Sequence, residues 1–248
     1  MNLILYYLFV YLIEAIILWL YCNRIFTSRK NTFLSLLITI GMFSLLIPVA
    51  ILTNAALNAF CSFIVYLCCI VLNYDSKPVW ALFHALALTI LMALSEGLIA
   101  AAIPDITIYA FRDGNIHSSA FTFVILSKSV YLCISQLVTR IFSKDTVNNA
   151  SIRKSTLMLY LIPVMSSIIT VSLGYICLNG KLSGSDSVIV FICLVLLLSI
   201  NILTFYLQQD ISQKNVEYAR LQIELQKETD TEHYYNYVQE VNEKQHIL

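Results

Sequence analysis

The stretch Val188-Ile-Val-Phe-Ile-Cys-Leu-Val-Leu-Leu-Leu-Ser-Ile-Asn-Ile-Leu-Thr-Phe-Tyr-Leu207 carries no charge over its 20 residues, and it runs straight into Gln208-Gln-Asp-Ile-Ser-Gln-Lys-Asn-Val-Glu217. At about 1.5 Å per helical residue, 20 residues reach about 30 Å, the thickness of the hydrocarbon core of a bilayer. The change of character at Leu207 is therefore read as a membrane–water crossing. On one side lies a span. On the other lies a charged, glutamine-rich helix.

The same apolar signature recurs toward the N-terminus. Seven candidate spans are read at 3–22, 32–52, 55–73, 79–102, 120–142, 157–178 and 187–207. Composition agrees: the 248-residue chain is 59% hydrophobic and 12% charged, whereas a soluble domain sits nearer a quarter charged. The first run lacks the basic start and small-residue cleavage site of a signal peptide, so it reads as a retained helix. The boundary at Thr53-Asn54 is the weakest, and segments two and three are alternatively a bent or re-entrant pair. Pro48 and Pro163 fall inside spans two and six, where neighbouring helices can satisfy the freed carbonyls. The seven cysteines lie in or at the ends of apolar runs without a C-x-x-C pair, and read as free, buried thiols and not as metal ligands or disulfides. The expected fold is all-α: a polytopic, seven-span helical bundle with a C-terminal cytoplasmic coiled-coil-like helix.

Charge placement supports an odd number of crossings. The connections after spans one, three and five hold Arg24, Arg29, Lys30, Lys77, Arg140, Lys144, Arg153 and Lys154, against Arg112 and Lys181 on the other side. Basic residues are retained on the cytoplasmic side. This orientation puts the N-terminus outside and the tail in the cytoplasm of a multi-pass cell-membrane protein in contact with lipid. A formal net charge of zero argues against nucleic acid as a partner.

Two units follow: residues 1–207, a transmembrane sensor domain, and residues 208–248, a cytoplasmic signal and dimerisation helix that reads as incomplete. The tail has eight acidic and four basic residues, with neither Pro nor Gly. Its apolar positions recur at Leu207, Ile211, Tyr218, Leu221 and Leu225, and resume at Tyr234, Val238, Val241 and Leu248. That spacing is a heptad-like seam with a phase break between Leu225 and Tyr234. A 41-residue helix of this kind would reach about 60 Å from the membrane. Two readings stand: a parallel dimerising signal helix, or an amphipathic helix lying on the bilayer, which its acidic excess opposes.

The stretch Leu221-Gln-Ile-Glu-Leu-Gln-Lys-Glu, followed by Tyr234-Tyr-Asn-Tyr-Val-Gln-Glu-Val-Asn-Glu-Lys-Gln-His-Ile-Leu248, resembles the linker of AgrC-type sensor histidine kinases of the GHKL class. In that family a tyrosine pair precedes a Glu- and Lys-rich turn, a hydrophobic pair, and the phosphoacceptor motif His-Asp-x-x-(Asn/His)-His. The resemblance covers about thirty residues of tail. It implies a six- or seven-span sensor of a quorum-sensing-type two-component system, often for a secreted peptide, feeding an ATP-binding kinase domain. The seam Ile211, Tyr218, Leu221 and Leu225 predicts a parallel homodimer, or a mixed dimer with an intact homologous kinase. The chain departs from the family where the phosphoacceptor box should begin, and it carries no Asn-box or Gly-rich ATP lid. The expectation is thus a sensor module truncated before its catalytic domain, without enzymatic activity or cofactor of its own. His246 precedes Ile247 where the motif needs an acid, and is read as a surface helix residue.

Four ionisable residues fall within spans: Glu14, His84, Glu96 and Lys128. Such groups are expensive in lipid, about 2.5–3.5 kcal/mol for an unpaired charge on insertion scales, and normally face the protein interior. Tyr7, Tyr11, Glu14 and Tyr21 share one helical face, and Lys128, Tyr131, Ser135 and Thr139 share another. Glu96 and Lys128 lie at similar depth below the outer boundary on consecutive spans. They are expected to face each other within the ligand-sensing site, with Glu14, which is deeper, as the poorer partner. For Glu14 and His84, structural hydrogen bonding and ligand binding both stay open. No H-E-x-x-H, G-x-S-x-G, aspartate pair or nucleotide-binding loop is present. Few glycines and no internal repeat argue against a transporter. An unrelated membrane scaffold or regulatory protein is the main alternative to the sensor, with a small-solute transporter behind it.

Overall fold

Helix α1 (Leu3–Ile25) forms from an apolar run interrupted only by Glu14 and closes at Arg24, a cation in the last turn where it complements the helix dipole. The computed structural model describes residues 3–52, 55–105, 118–142, 161–179 and 184–246. After α1 come β1 (Thr27–Ser28), α2 (Thr32–Ser44), α3 (Ile47–Ile51), α4 (Ala55–Asn73), β2 (Tyr74–Asp75), α5 (Pro78–Ala102), α6 (Ser118–Ile141), α7 (Leu161–Asn179) and α8 (Gly184–His246).

The segment 32–52 is two helices. Pro48 lacks an amide proton, and its ring collides with the carbonyl four residues back, that of Ser44. Helix α2 ends at Ser44, and Pro48 takes the second position of α3, where no amide donor is needed. The other proline expected inside a span, Pro163, is the third residue of α7 as described. Thr53-Asn54, the weak boundary, lies outside the described residues, as do Arg112, Lys144, Arg153, Lys154 and Lys181. Among the described residues five helical stretches are long and apolar enough to cross a membrane: Leu3–Ile25, Thr32–Ile51, Pro78–Ala102, Ser119–Ile141 and the first part of Ser185–Gln239. The apolar stretches Leu57–Asn73 and Leu161–Thr170 are shorter.

Among the described residues the one departure from helix and connection is a two-stranded antiparallel ladder, Thr27↔Asp75 and Ser28↔Tyr74. It joins the α1–α2 connection to the α4–α5 connection, with Arg29 N–H donating to Asn73 O at 2.9 Å. An exposed Arg29–Asp75 ion pair at 3.2 Å adds little energy in water. Its consequence is positional: Arg24, Arg29, Lys30 and Lys77 gather at one end of the bundle.

The bundle is turned inside out relative to a soluble protein. Ile4, Leu5, Leu8, Leu12 and Ile16 of α1, and Val188, Ile189, Ile192, Leu196 and Leu203 of α8, are exposed, while Ser35, Thr39, Ser62, Asn73, His84, Ser95 and Lys128 are buried. A continuous apolar exterior of this kind suits a lipid environment and points to membrane association. Cys22 and Cys69 are buried as expected, whereas Cys133 is exposed on the apolar exterior of α6, where lipid accepts a thiol as readily as a core does.

Helix α5 is the hub. It packs against α4, α6, α7 and α8, and two thirds of its most apolar window is buried, against about a third or less in α1 and α8. Its small residues Ala81, Ala85, Ala87, Ser95, Gly97, Ala100 and Ala101 bring neighbouring backbones close, which is how helices associate where lipid gives no hydrophobic drive. Helix α8 lies along it in antiparallel sense. Ser187 Oγ donates to Ala101 O at 2.7 Å, Leu194 meets Gly97, and the Phe205 and Phe83 rings stand 5.6 Å apart.

Helix α8 then continues without interruption past Leu207 and through the expected phase break at 225–234. Its 63 residues make a rod of about 95 Å. The sequence placed the start of the solvated tail at Gln208. Instead Gln208, Gln209 and Ser212 are buried, because α8 keeps packing on the bundle for more than a turn beyond its apolar run. Every side chain from Glu217 to Tyr237 is exposed, so the free part of the rod is shorter than expected.

Candidate functional site: an intramembrane Glu–Lys–Glu cluster

Three of the four intramembrane ionisable residues meet at one point. Lys128 Nζ of α6 donates to Glu14 Oε1 of α1 and to Glu96 Oε1 of α5, each at 2.5 Å. The lysine and Glu14 side chains are 2% and 3% exposed, while that of Glu96 is 40% exposed. Glu14 is therefore a full partner of Lys128 and not the poorer one. Side chains in a helix lean toward its N-terminus. The contacts Tyr6–Phe121 and Glu14–Lys128 show α1 and α6 running the same way, and Tyr21–His84 shows α5 running opposite to α1. Glu14 thus leans toward the end of the bundle where α1 begins, Glu96 leans away from it, and the two carboxylates converge on one ammonium. Counting Cα depth alone misses this.

The cluster has an aromatic and hydroxyl surround. On the α1-start side Tyr6, 3% exposed, packs against Ala120 and Val124, the two residues that precede Lys128 at helical spacing on α6. Its ring lies 5.3 Å from Tyr7 and 5.6 Å from Phe121. Tyr11 donates to Asn58 Oδ1 at 2.8 Å and ties α1 to α4. Buried Tyr131 donates to Tyr66 at 3.4 Å, and Tyr66 donates to Met92 Sδ at 3.3 Å. Glu14 Oε2 is buried without a hydrogen-bond partner among the described residues.

His84 stands apart from these three. Its Nδ1 shares a 2.7 Å hydrogen bond with Tyr21 Oη, and Trp80 stacks on the ring at 5.8 Å while Phe26, Phe83 and Phe142 approach edge-on. With Nε2 buried and without a hydrogen-bond partner among the described residues, this is a packed core histidine held by one tyrosine. Among the described residues no group of three His, Cys, Asp or Glu could hold a metal ion.

The tail seam is presented and not covered. Tyr218, Leu221, Leu225 and Tyr234 are exposed, and Ile211 and Val238 partly so. The side chains of Val241 and His246 lie outside the described residues.

Sequence reading did not anticipate the α5–α8 contacts or the buried amides of Gln136 and Gln208, which have no hydrogen-bond partner among the described residues. A Cβ on Gly97 would sit 3.2 Å from Leu194 Cδ1. A lone Gly within the most buried span, next to Glu96, was the available signal.

No family model, no curated protein and no solved structure matches the chain.

Proposed function

We propose that the protein is the membrane sensor module of a two-component signalling system of the histidine kinase type, responding to an extracellular ligand such as a secreted peptide. In this reading the bundle crosses the membrane seven times with its N-terminus outside and its tail in the cytoplasm. Phosphoryl transfer belongs to a kinase domain with which the tail works, in a homodimer or in a mixed dimer with an intact kinase. The resemblance of residues 221–248 to the AgrC-type linker motivates the family.

The observation that carries the reading is the continuity of α8. One unbroken helix holds Leu194 against Gly97, one residue from the Glu96 carboxylate, and also presents Tyr218, Leu221 and Leu225 to solvent. A small displacement of α5 at the charge cluster would be passed to α8 through the Gly97–Leu194 contact, and a continuous helix would carry it to the tail. A scaffold needs neither a close helix contact beside an intramembrane charge nor an exposed seam. A transporter would need a polar path through the bundle.

The test couples the two ends. Full-length protein in membranes, carrying a single cysteine at Leu221, is crosslinked with and without Glu96→Gln, which leaves the Glu14–Lys128 pair in place. The sensor reading expects the substitution to change crosslinking yield at Leu221 by several-fold while the protein remains inserted and folded. Unchanged tail crosslinking in a folded variant would remove the reading.

A further inference from the structure

The Glu14–Lys128–Glu96 cluster has two acids for one base. Among the described residues Lys128 is the cation paired with either carboxylate, so the cluster carries one excess negative charge when all three groups are ionised. Neutralising Lys128 takes one acid; the second ties a third helix and also leaves a net charge. A second carboxylate in a low-dielectric interior is costly and marks a functional group by default. Two further observations show where a counter-charge would go. Glu14 Oε2 is buried and has no hydrogen-bond partner among the described residues. Glu96, 40% exposed, opens the cluster to the outside of the bundle. Tyr6, Tyr7 and Phe121 sit two turns toward the α1-start end, and aromatic faces attract cations.

We infer that this cluster binds the ammonium group of a ligand, a primary amine borne on an apolar body, with Glu96 as the entry carboxylate and the unpartnered oxygen of Glu14 as the deep acceptor. With its own charge added to the cluster's three, the bound amine makes two neutral pairs. Lys128 keeps one carboxylate, the ligand takes the other, and the ion pair linking α1, α5 and α6 is redistributed. This rests on reading the bundle as the sensing part. The binding assay below does not involve the tail, so loss of binding and loss of tail coupling are separate outcomes.

The full-length chain in lipid nanodiscs is titrated at pH 7.5 with n-hexylammonium chloride, and thermal unfolding is followed, with hexanol and sodium chloride as controls. The expected result is a saturable rise in Tm with hexylammonium that neither control reproduces. In Glu96→Gln the apparent affinity falls at least tenfold, Glu96→Asp retains part of it, and the Tm without amine is no lower than that of the unsubstituted protein, because the excess charge is gone. Should Glu96→Gln fail to insert, Glu14→Gln gives the same readout. The proposal is overturned by no saturable amine response, by an equal response to sodium, or by an undiminished response in both Gln variants. It is also overturned if Tm rises on acidification without any dependence on amine, which would make the site one for a proton only.

Discussion

Lys128 of α6 bonds Glu14 of α1 across 114 positions of chain, and the same ammonium also bonds Glu96 of α5. Three helices are thus fixed at one depth by electrostatics, in an environment where unpaired charge is penalised far more than in water. The arrangement gives the bundle a polar pivot among helices that otherwise pack through small residues and aromatic rings.

Charge reversal tests the pivot. Lys128→Glu places three carboxylates together and should cost at least the roughly 3–5 kcal/mol of breaking a buried pair, read as lost insertion or a large fall in Tm. Adding Glu96→Lys restores two acids and one base around the same point and should recover most of that loss. A double variant no better than the single would mean that the charges are uncoupled.

Much of the helical layout was legible because it rests on periodicity and solvent. The 55–73 segment and the end of α5 at Ala102 follow from where apolar residues stop and Asp, Pro or Asn begin. The Glu96–Lys128 encounter could be read because consecutive helices pack side by side. The part played by Glu14 could not, because it depends on helix direction and side-chain lean across non-consecutive helices. The packed start of the tail at Gln208 was hidden for a related reason: composition marks where apolar sequence ends, not where a neighbouring helix ends. The Thr27–Ser28 ladder is too short to leave any pattern.

Orientation is the second test. The basic residues Arg24, Arg29, Lys30 and Lys77 collect at the end of the bundle tied by the β1–β2 ladder. Reporter fusions after Lys154 and after Leu248 should both report cytoplasm. An extracellular signal at either site would refute the seven-crossing arrangement.

A third expectation concerns catalysis. Purified protein incubated with labelled ATP should remain unlabelled, since no nucleotide-binding loop, Asn-box or ATP lid occurs in this sequence. Acid-labile label on His246 would contradict it.

Assembly is checked along the free rod. Tyr218, Leu221 and Leu225 are 62%, 48% and 62% exposed on α8, an apolar stripe with heptad-like spacing that a second copy of the same helix would cover. Single cysteines at Ile211, Tyr218, Leu221 and Leu225 should crosslink to the same position on the partner, strongest at Leu221, with weak or no crosslinking at Ile223 or Gln226, which face away from the seam. Equal yields around the helix would leave a surface-lying helix as the better description.

The contact between Gly97 and Leu194 gives the last prediction. A methyl group at position 97 would stand 3.2 Å from Leu194 Cδ1, close enough that α8 or the leucine must yield by a few tenths of an ångström. Leu194 is 1% exposed and boxed in by Ile90, Leu94 and Val190, so the leucine has little room to turn and the helix must move instead. Gly97→Val enlarges the intrusion and should displace α8 enough to change Leu221 crosslinking by several-fold, at a stability cost of about 1–3 kcal/mol for overpacking. Leu194→Ala in the same chain removes the colliding atoms. The double variant should return crosslinking toward that of the unsubstituted protein, while Leu194→Ala alone, which leaves a cavity, lowers Tm with a smaller effect on the tail. If Gly97→Val destabilises the bundle but leaves tail crosslinking unchanged, the α5–α8 contact is a packing feature and does not transmit.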